Sequence, residues 1–216
     1  GNVYRKEKHC SVRPCMPRRM LVAMQMEEFM TRRYELRFNR MKGCKEYRER
    51  HSLFTDYRPV TAEAVKSICF EAQLEGISAI EYDVQRYVDR RVSHYWPIEE
   101  FLFDLPHWDG QDRIRALADC VPCENKEWRD FFYIWFLSMV AHWLQMDREH
   151  ANSTSPLLVG PQGCRKSSFC QSLLPPELRP YYVDGIDLGS RKDAEMALNR
   201  FALINLDEFD SIPASR

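Results

Sequence analysis

Apolar residues recur every three to four positions along much of the chain, a spacing that predicts helices. Thr61 can cap one of them, and Val65, Ile68 and Ala72 then share one face until Gly76 ends the helix. Residues 1–16 show no clear periodicity. The predicted helices cover residues 20–33, 61–76, 80–92, 97–103, from 111 onward, 126–146, 166–174 and 190–200.

Two other patterns predict strands. Residues 34–48 alternate around a turn at Met41-Lys42-Gly43, which indicates a pair of short strands. Residues 156–160 and 201–210 are short apolar runs of the kind that form buried strands. A strand, a glycine loop, a helix and another strand, in this order, begin a parallel α/β sheet.

The predicted helix over residues 126–146 is apolar almost all the way round. We therefore expect it to lie in the centre of a bundle or at an interface, with its aromatic side chains in the core rather than stacked on nucleobases. Its aromatic residues at helical spacing are Trp128, Phe131, Phe132, Trp135, Phe136 and Trp143.

These patterns together predict an α+β protein, with a mainly helical N-terminal part followed by the start of a parallel α/β domain. We expect a basic segment with a helix and a strand pair over residues 1–58, a helical domain over 59–150, and the beginning of the α/β domain over 151–216. The leading Gly1, and an end that comes soon after a predicted strand, indicate a fragment of a longer protein.

The charges are unevenly distributed, although the net charge of the chain is only −1. The first 50 residues hold 14 Lys and Arg against 6 Asp and Glu, a net charge of +8 that leaves −9 for the other 166 residues. A basic segment of this kind can bind nucleic acid, and a solvated basic face is the alternative.

The cysteines and apolar runs bear on the cellular compartment. Eight cysteines in 216 residues do not resemble a small secreted disulfide framework. Cys120 and Cys123 form a C-x-x-C pair, and joining it to Cys10 and Cys15 would give a strained zinc site, so reduced thiols are favoured. The sequence has neither a signal peptide nor an apolar run long enough for a bilayer, so we expect a cytoplasmic protein with no membrane partner.

The segment GPQGCRKS has the order of a phosphate-binding loop. Gly160 and Gly163 would let the loop turn tightly, Lys166 would reach the outer phosphates, and the Ser167 hydroxyl would ligate magnesium. Arg165 stands where the pattern G-x-x-x-x-G-K-[ST] has glycine. Its side chain fits a helical backbone and could add charge near the phosphates, whereas a positive φ there would cost about 1 kcal/mol or more.

Two adjacent carboxylates, Asp207 and Glu208, follow the second predicted apolar strand. A buried strand rarely ends in two acids without a partner, because desolvating a charge is unfavourable, and a magnesium ion beside a triphosphate is such a partner. Asp207 would hold the metal, and Glu208 would orient or deprotonate the attacking water. The alternative is that the two acids begin a solvated loop.

The loop and the acid pair, together with the segment PIEEFLFDLPHWDGQDRI, resemble the virulence-associated protein E family over roughly residues 90–210. The family consists of P-loop proteins of phage and mobile-element origin, related to primase-associated superfamily 3 helicases. The resemblance implies a phosphate loop made by Gly160, Gly163, Lys166 and Ser167, and a second acidic motif made by Asp207 and Glu208. Arg165 departs from the family's glycine.

This resemblance implies an ATP-binding and ATP-hydrolysing helicase-like module of a phage or mobile-element replication protein. Its expected cofactors are ATP and magnesium, and its expected partners are DNA, a primase domain in the same polypeptide and further copies in a ring. Arg165 keeps a second hypothesis open, a non-catalytic scaffold or DNA-binding protein with a decayed loop. A small-molecule kinase ranks third, because the acid pair favours water activation. Two predicted strands do not complete a P-loop sheet, so we expect weak or no turnover from residues 1–216 alone.

Overall fold

The chain forms two compact units, and each contains helices and strands. The structure is a computed structural model that describes residues 16–53, 55–146, 152, 154–186 and 190–206. Among these, unit 1 contains residues 16–39 and 44–94, and unit 2 contains residues 40–43 and those from 95 onward. The α+β class is therefore confirmed, while the units divide the chain at other places than the three predicted segments do.

Unit 1 consists of three helices and four strands. In chain order these are α1 (Arg18–Arg33), β1 (Tyr34–Asn39), β2 (Cys44–Glu49), β3 (Arg58–Pro59), α2 (Ala62–Leu74), α3 (Glu81–Arg90) and β4 (Ser93–Tyr95). The strands form one sheet in the order β3-β2-β1-β4. Most residues in the regular elements of unit 1 are helical, and the sheet is larger than the strand pair that the sequence predicted. Sequence periodicity missed β3 and β4 because strands of two and three residues are too short to show alternation.

The β1–β2 hairpin and the start of α2, both predicted from the sequence, are held by hydrogen bonds between residues close together in the chain. The hairpin of β1 and β2 pairs Tyr34 with Glu49 and Asn39 with Cys44 in antiparallel register. The Thr61 hydroxyl accepts a hydrogen bond from the Ala64 N–H at 3.2 Å and so caps α2. One face of each helix then packs into a common core. That core includes Met26, Phe29, Met30, Val65, Ile68, Ala72, Val84 and Val88.

Much of the basic charge in the described part of unit 1 is neutralised by ion pairs. Arg48 and Arg50 both contact Glu35, at 2.6 and 2.8 Å, and hydrogen bonding from Arg48 is the main cause that lowers the pKa of Glu35. The +8 counted for the first 50 residues already includes Glu35, but Glu71 and Asp89 lie outside that segment, and their pairs with Arg33 and Lys45 offset part of its positive field. Further pairs are Arg33–Glu71, Arg37–Glu46, Lys45–Asp89, Arg58–Glu49 and Arg91–Glu27.

Unit 2 is built from helices and a pair of short strands. Its elements are α4 (Pro97–Phe103), α5 (Arg113–Ala118), α6 (Trp128–Trp143), α7 (Lys166–Ser172), a 3₁₀ turn (Arg179–Tyr181), β5 (Tyr182–Asp184), α8 (Arg191–Arg200) and β6 (Leu203–Asn205). β5 and β6 pair in parallel, with Tyr182 opposite Leu203 and Asp184 opposite Asn205. The strand predicted over residues 201–210 is thus confirmed over its described part, and β5 was not predicted.

The strand predicted over Pro156 to Gly160 is wrong, since these residues form no regular element. Leu157 and Val159 are 72% and 87% exposed. A strand needs a partner for its backbone hydrogen bonds, and no described strand pairs with this run. Pro156 also lacks an N–H to donate. The apolar run of residues 156–160 is therefore exposed despite its composition.

Only one face of the helix α6 is buried, so the expectation that it lies in the centre of a bundle is wrong, and the alternative of a position at an interface stays a prediction. Phe132 and Met139 are 1% and 6% exposed, whereas Phe131 and Ile134 are 55% and 61% exposed. Its apolar outer face faces solvent in the described structure. Nowhere among the described residues does a helix have the length and apolar character needed to traverse a bilayer.

The buried face of α6 anchors the two elements that follow it. Phe132 packs against Phe169 of α7, with ring centroids 6.1 Å apart, and Leu173 and Leu203 join the same cluster. Farther along α6, the indole N–H of Trp143 donates to the Ala202 carbonyl at 2.9 Å. One helix therefore fixes both α7 and the start of β6.

We predict that Phe132→Ala lowers the free energy of unfolding by about 3–5 kcal/mol, because it removes a buried ring and leaves a cavity between α6 and α7. The neighbouring Phe131→Ala is the matched control and should change it by less than about 1 kcal/mol. Urea unfolding followed by tryptophan fluorescence measures both. Equal effects would contradict the one-sided packing of α6.

Candidate functional site

The glycine loop enters α7 through two residues in left-handed backbone conformations. Gly163 has a φ of 81°, and Arg165 has a φ of 66° and a ψ of 29°. The helical backbone that would have suited Arg165 is thus not adopted. Left-handed geometry costs a non-glycine residue about 1–2 kcal/mol. The loop keeps the shape that a glycine would allow, and Arg165 carries the strain.

The two glycines of the loop are needed for different reasons. A Cβ on Gly160 would lie 3.1 Å from the Cys164 sulfur, so a larger residue would push on the opposite side of the loop. A Cβ on Gly163 would meet no atom within 4 Å. Its positive φ is what favours glycine there. Glycine is therefore favoured at position 160 by lack of space and at position 163 by its backbone conformation.

The side chain of Lys166 closes the loop. Its ammonium donates to the carbonyl oxygens of Gly160 and Pro161, at 2.9 and 3.1 Å, and lies 3.7 Å from the Cys164 sulfur. Ser167 follows in the first turn of α7 and is half-buried. A positive charge and a hydroxyl therefore stand side by side at the start of a helix.

Backbone donors at the loop complete this arrangement. Among the described residues, the N–H groups of Gly163, Arg165 and Lys166 donate to no backbone oxygen. The first N–H groups of a helix have no partner within it, and they carry partial positive charge. The loop thus offers N–H donors, an ammonium and a hydroxyl within one short segment, a combination suited to an anion.

A second group of polar side chains lies where β5 and β6 end. Asp184 ends β5 and Asn205 ends β6, directly opposite each other. The Asp184 Oδ1 accepts hydrogen bonds from the Asn205 amide at 2.9 Å and from the Tyr182 hydroxyl at 2.5 Å. Burial first, and then this bond to Asp184, raise the pKa of Tyr182. In α/β proteins, ligands bind at the carboxyl ends of parallel strands.

The predicted site residues fall into two groups. The structure brings Gly160, Gly163, Arg165, Lys166 and Ser167 together in one loop. Asp207 and Glu208 lie outside the described residues, so their predicted metal and catalytic roles stay predictions. In sequence they come two and three positions after Asn205, which ends β6.

Sequence reasoning did not single out Asp184. A signal was available in the segment YYVDG, where residues that favour strands are followed by Asp-Gly, a common turn pair. The contact with Asn205 joins residues 21 positions apart. No local pattern specifies a contact at that separation, so the pairing of β5 with β6 had to be seen in the fold.

The WDG segment forms a self-contained turn ahead of α5. Asp109 accepts a hydrogen bond from Arg113 at 2.7 Å and from the Gln111 N–H at 3.1 Å, and the bond from Arg113 is the main cause that lowers the pKa of Asp109. The Trp108 indole donates to the Gln111 carbonyl at 3.2 Å, yet the side chain is 79% exposed. Gly110 has a φ of 84°, which the turn requires.

The cysteines in the described part of the chain do not form a metal centre. Cys120 and Cys123 are free, exposed thiols. No group of three or more His, Cys, Asp or Glu side chains within the described residues could hold a metal ion. Cys10 and Cys15 lie outside those residues, so the favoured expectation of reduced thiols stays a prediction for them, with the strained zinc site as its alternative.

Comparison with known proteins identifies the family. The family model for the virulence-associated protein E-like domain matches residues 102–216. No curated protein and no solved structure matches the chain significantly. The matched region takes in the WDG turn, the glycine loop and the paired strands β5 and β6, and it covers more than half of the 216 residues. The chain therefore belongs to the virulence-associated protein E family.

Proposed function

We propose that unit 2 binds ATP with magnesium through the loop from Gly160 to Ser167 and serves as a helicase-like ATPase module of a phage or mobile-element replication protein. The observation that carries the proposal is the shape of this loop. Gly163 and Arg165 both hold left-handed backbone, and the Lys166 ammonium contacts the carbonyl oxygens of Gly160 and Pro161. Family membership supports the phage or mobile-element setting.

The residues present suit the groups of a magnesium–triphosphate complex. Backbone N–H donors at Gly163, Arg165 and Lys166 match phosphate oxygens, and charge-assisted hydrogen bonds of this kind are about twice as strong as neutral ones. The Ser167 hydroxyl would ligate magnesium. Asp207 would hold the same ion, and Glu208 would orient the attacking water.

The strain at Arg165 fits a binding role. Backbone strain of about 1–3 kcal/mol persists where the surrounding structure fixes it, and such residues cluster at ligand sites. The exposed guanidinium at this position adds a permanent positive charge beside the loop. A module of this kind works on DNA together with a primase domain and further copies in a ring, and these partners belong to the same proposal.

We predict that Lys166→Ala weakens ATP binding at least about tenfold, because the loop loses the side-chain ammonium that contacts Gly160 and Pro161. Titration calorimetry of the chain with ATP and magnesium measures the affinity. Lys126→Ala is the matched control, since Lys126 is exposed and lies ahead of α6, and it should bind as the wild type does. Equal affinity in both variants would remove the proposed phosphate role.

A second function, a non-catalytic scaffold or DNA-binding protein with a decayed loop, is favoured by two observations. Arg165 has the backbone conformation of a glycine without being one. The run from Pro156 to Gly160 is not the strand that normally leads into such a loop. Replacing Arg165 separates the two functions.

We predict that Arg165→Gly raises the free energy of unfolding by about 0.5–1 kcal/mol, since relief of about 1–2 kcal/mol of left-handed strain exceeds the added flexibility of the unfolded chain. Arg165→Val should lower it by about 1 kcal/mol, because β-branched residues rarely adopt positive φ. Urea unfolding measures both. The opposite order of the two variants would contradict the left-handed assignment.

The same variant decides between the two functions when its ATP affinity is measured. If the loop is functional, the wild type and Arg165→Gly both bind ATP with magnesium, and their affinities differ by less than about tenfold, or 1.4 kcal/mol. If the loop has decayed, only Arg165→Gly binds, and the scaffold function replaces the ATPase.

A further inference from the structure

We propose that the chain associates with a second copy of itself, through contact between a tryptophan surface on one copy and a methionine surface on the other. The tryptophan surface consists of Phe103, Leu105 and Trp108, and the methionine surface consists of Met20, Leu21 and Met24. The inference goes beyond the proposed function, which assigns no surface to the contact between copies.

The tryptophan surface exposes three large apolar side chains within six residues. Phe103 and Trp108 are 86% and 79% exposed, and Leu105 is half-exposed. The Trp108 indole donates to the Gln111 carbonyl at 3.2 Å, so its ring is held in place although it faces solvent. An aromatic side chain buries about 150–250 Å² when it is covered. Two of them would supply a large part of the ~800 Å² that each partner buries in a standard interface.

The methionine surface lies on the side of α1 away from the core of unit 1. Val22 and Met26 are buried in that core, and at 3.6 residues per turn Met20, Leu21 and Met24 lie on the opposite side of the helix. Each of these three is about half-exposed. A methionine side chain is flexible, and its sulfur makes favourable contacts with aromatic rings. The methionine surface therefore suits an exposed tryptophan and phenylalanine.

Unpaired charges of opposite sign border the two surfaces. Arg18 and Arg19 come directly before the methionine surface, Asp104 lies within the tryptophan surface, and all three are exposed. In the described part of the chain none of the three takes part in an ion pair, whereas the two arginines at the other end of α1 both pair with Glu75. Residues 97–112 contain five Asp and Glu and neither Lys nor Arg. The two surfaces are thus complementary in charge.

The helix ends make these charges unfavourable in a single copy. Arg18 and Arg19 occupy the first turn of α1, which contains no acid, and Asp104 is the C-cap of α4. A helix carries partial positive charge at its amino end and partial negative charge at its carboxyl end. Each side chain therefore stands at the helix end of its own sign. Contact between the arginines of one copy and Asp104 of another would offset both, which favours a second copy as the partner.

Because the two surfaces differ, the contact is head-to-tail. It leaves a free methionine surface on one copy and a free tryptophan surface on the other, so association can continue past two copies. A pair formed through the exposed outer face of α6 would instead be two-fold and would stop at two copies.

We predict that the mean mass of the wild-type chain in sedimentation equilibrium rises with concentration, and that raising NaCl from about 0.05 M to about 0.5 M weakens the association by screening the bordering charges. Trp108→Ala, or Met20→Ser combined with Met24→Ser, should weaken it at least about tenfold, because each removes the centre of one surface. Ile134→Ala is the matched control, since Ile134 is an exposed apolar residue of α6, and it should associate as the wild type does. Thermal unfolding shows that each variant is folded.

A mixture of the two variants tests the head-to-tail contact. Trp108→Ala keeps its methionine surface and the double methionine variant keeps its tryptophan surface, so the mixture should form one wild-type contact and stop at two copies, although neither variant associates alone. The proposal is overturned if the wild-type chain stays monomeric up to about 1 mM, if the mixture does not associate, or if Ile134→Ala weakens association as much as Trp108→Ala does. The experiment contains no nucleotide, so its outcome is independent of the ATP affinity that tests the proposed function.

Discussion

The contact of Phe132 with Phe169 and Leu173 is the constraint on which unit 2 depends. α7 has only seven residues, too few to be stable by itself in water, so its position comes from this apolar packing. The same helix, α6, holds the start of β6 through Trp143. α6 therefore positions both α7, which follows the glycine loop, and the start of β6, although the three elements are far apart in sequence.

Sequence predicted the features that local interactions decide. The hairpin turn, the Thr61 cap and the helix after the glycine loop each depend on residues a few positions apart. The strand predicted over residues 156–160 is wrong, and the outer face of α6 is exposed, for the same reason. An apolar pattern indicates a preference for burial, but the tertiary fold decides which apolar surfaces are covered.

In the candidate site, too, local features could be predicted from the sequence and long-range contacts could not. The loop from Gly160 to Ser167 could be found from its order of residues, because neighbouring residues determine its backbone conformation. The hydrogen bond between Asp184 and Asn205 could not, since it exists only once β5 and β6 lie side by side. Arg165 is the position at which local preference and fold disagree, and such conflicts are expected at functional sites.

The contacts of the Lys166 ammonium have a consequence for any anion that enters the loop. Because this cation already has two carbonyl acceptors, ligand arrival is an exchange of partners rather than a simple addition. The affinity of the loop for an anion then reflects the difference in free energy between two sets of contacts, those of the Lys166 ammonium with the two carbonyl oxygens and those with the anion.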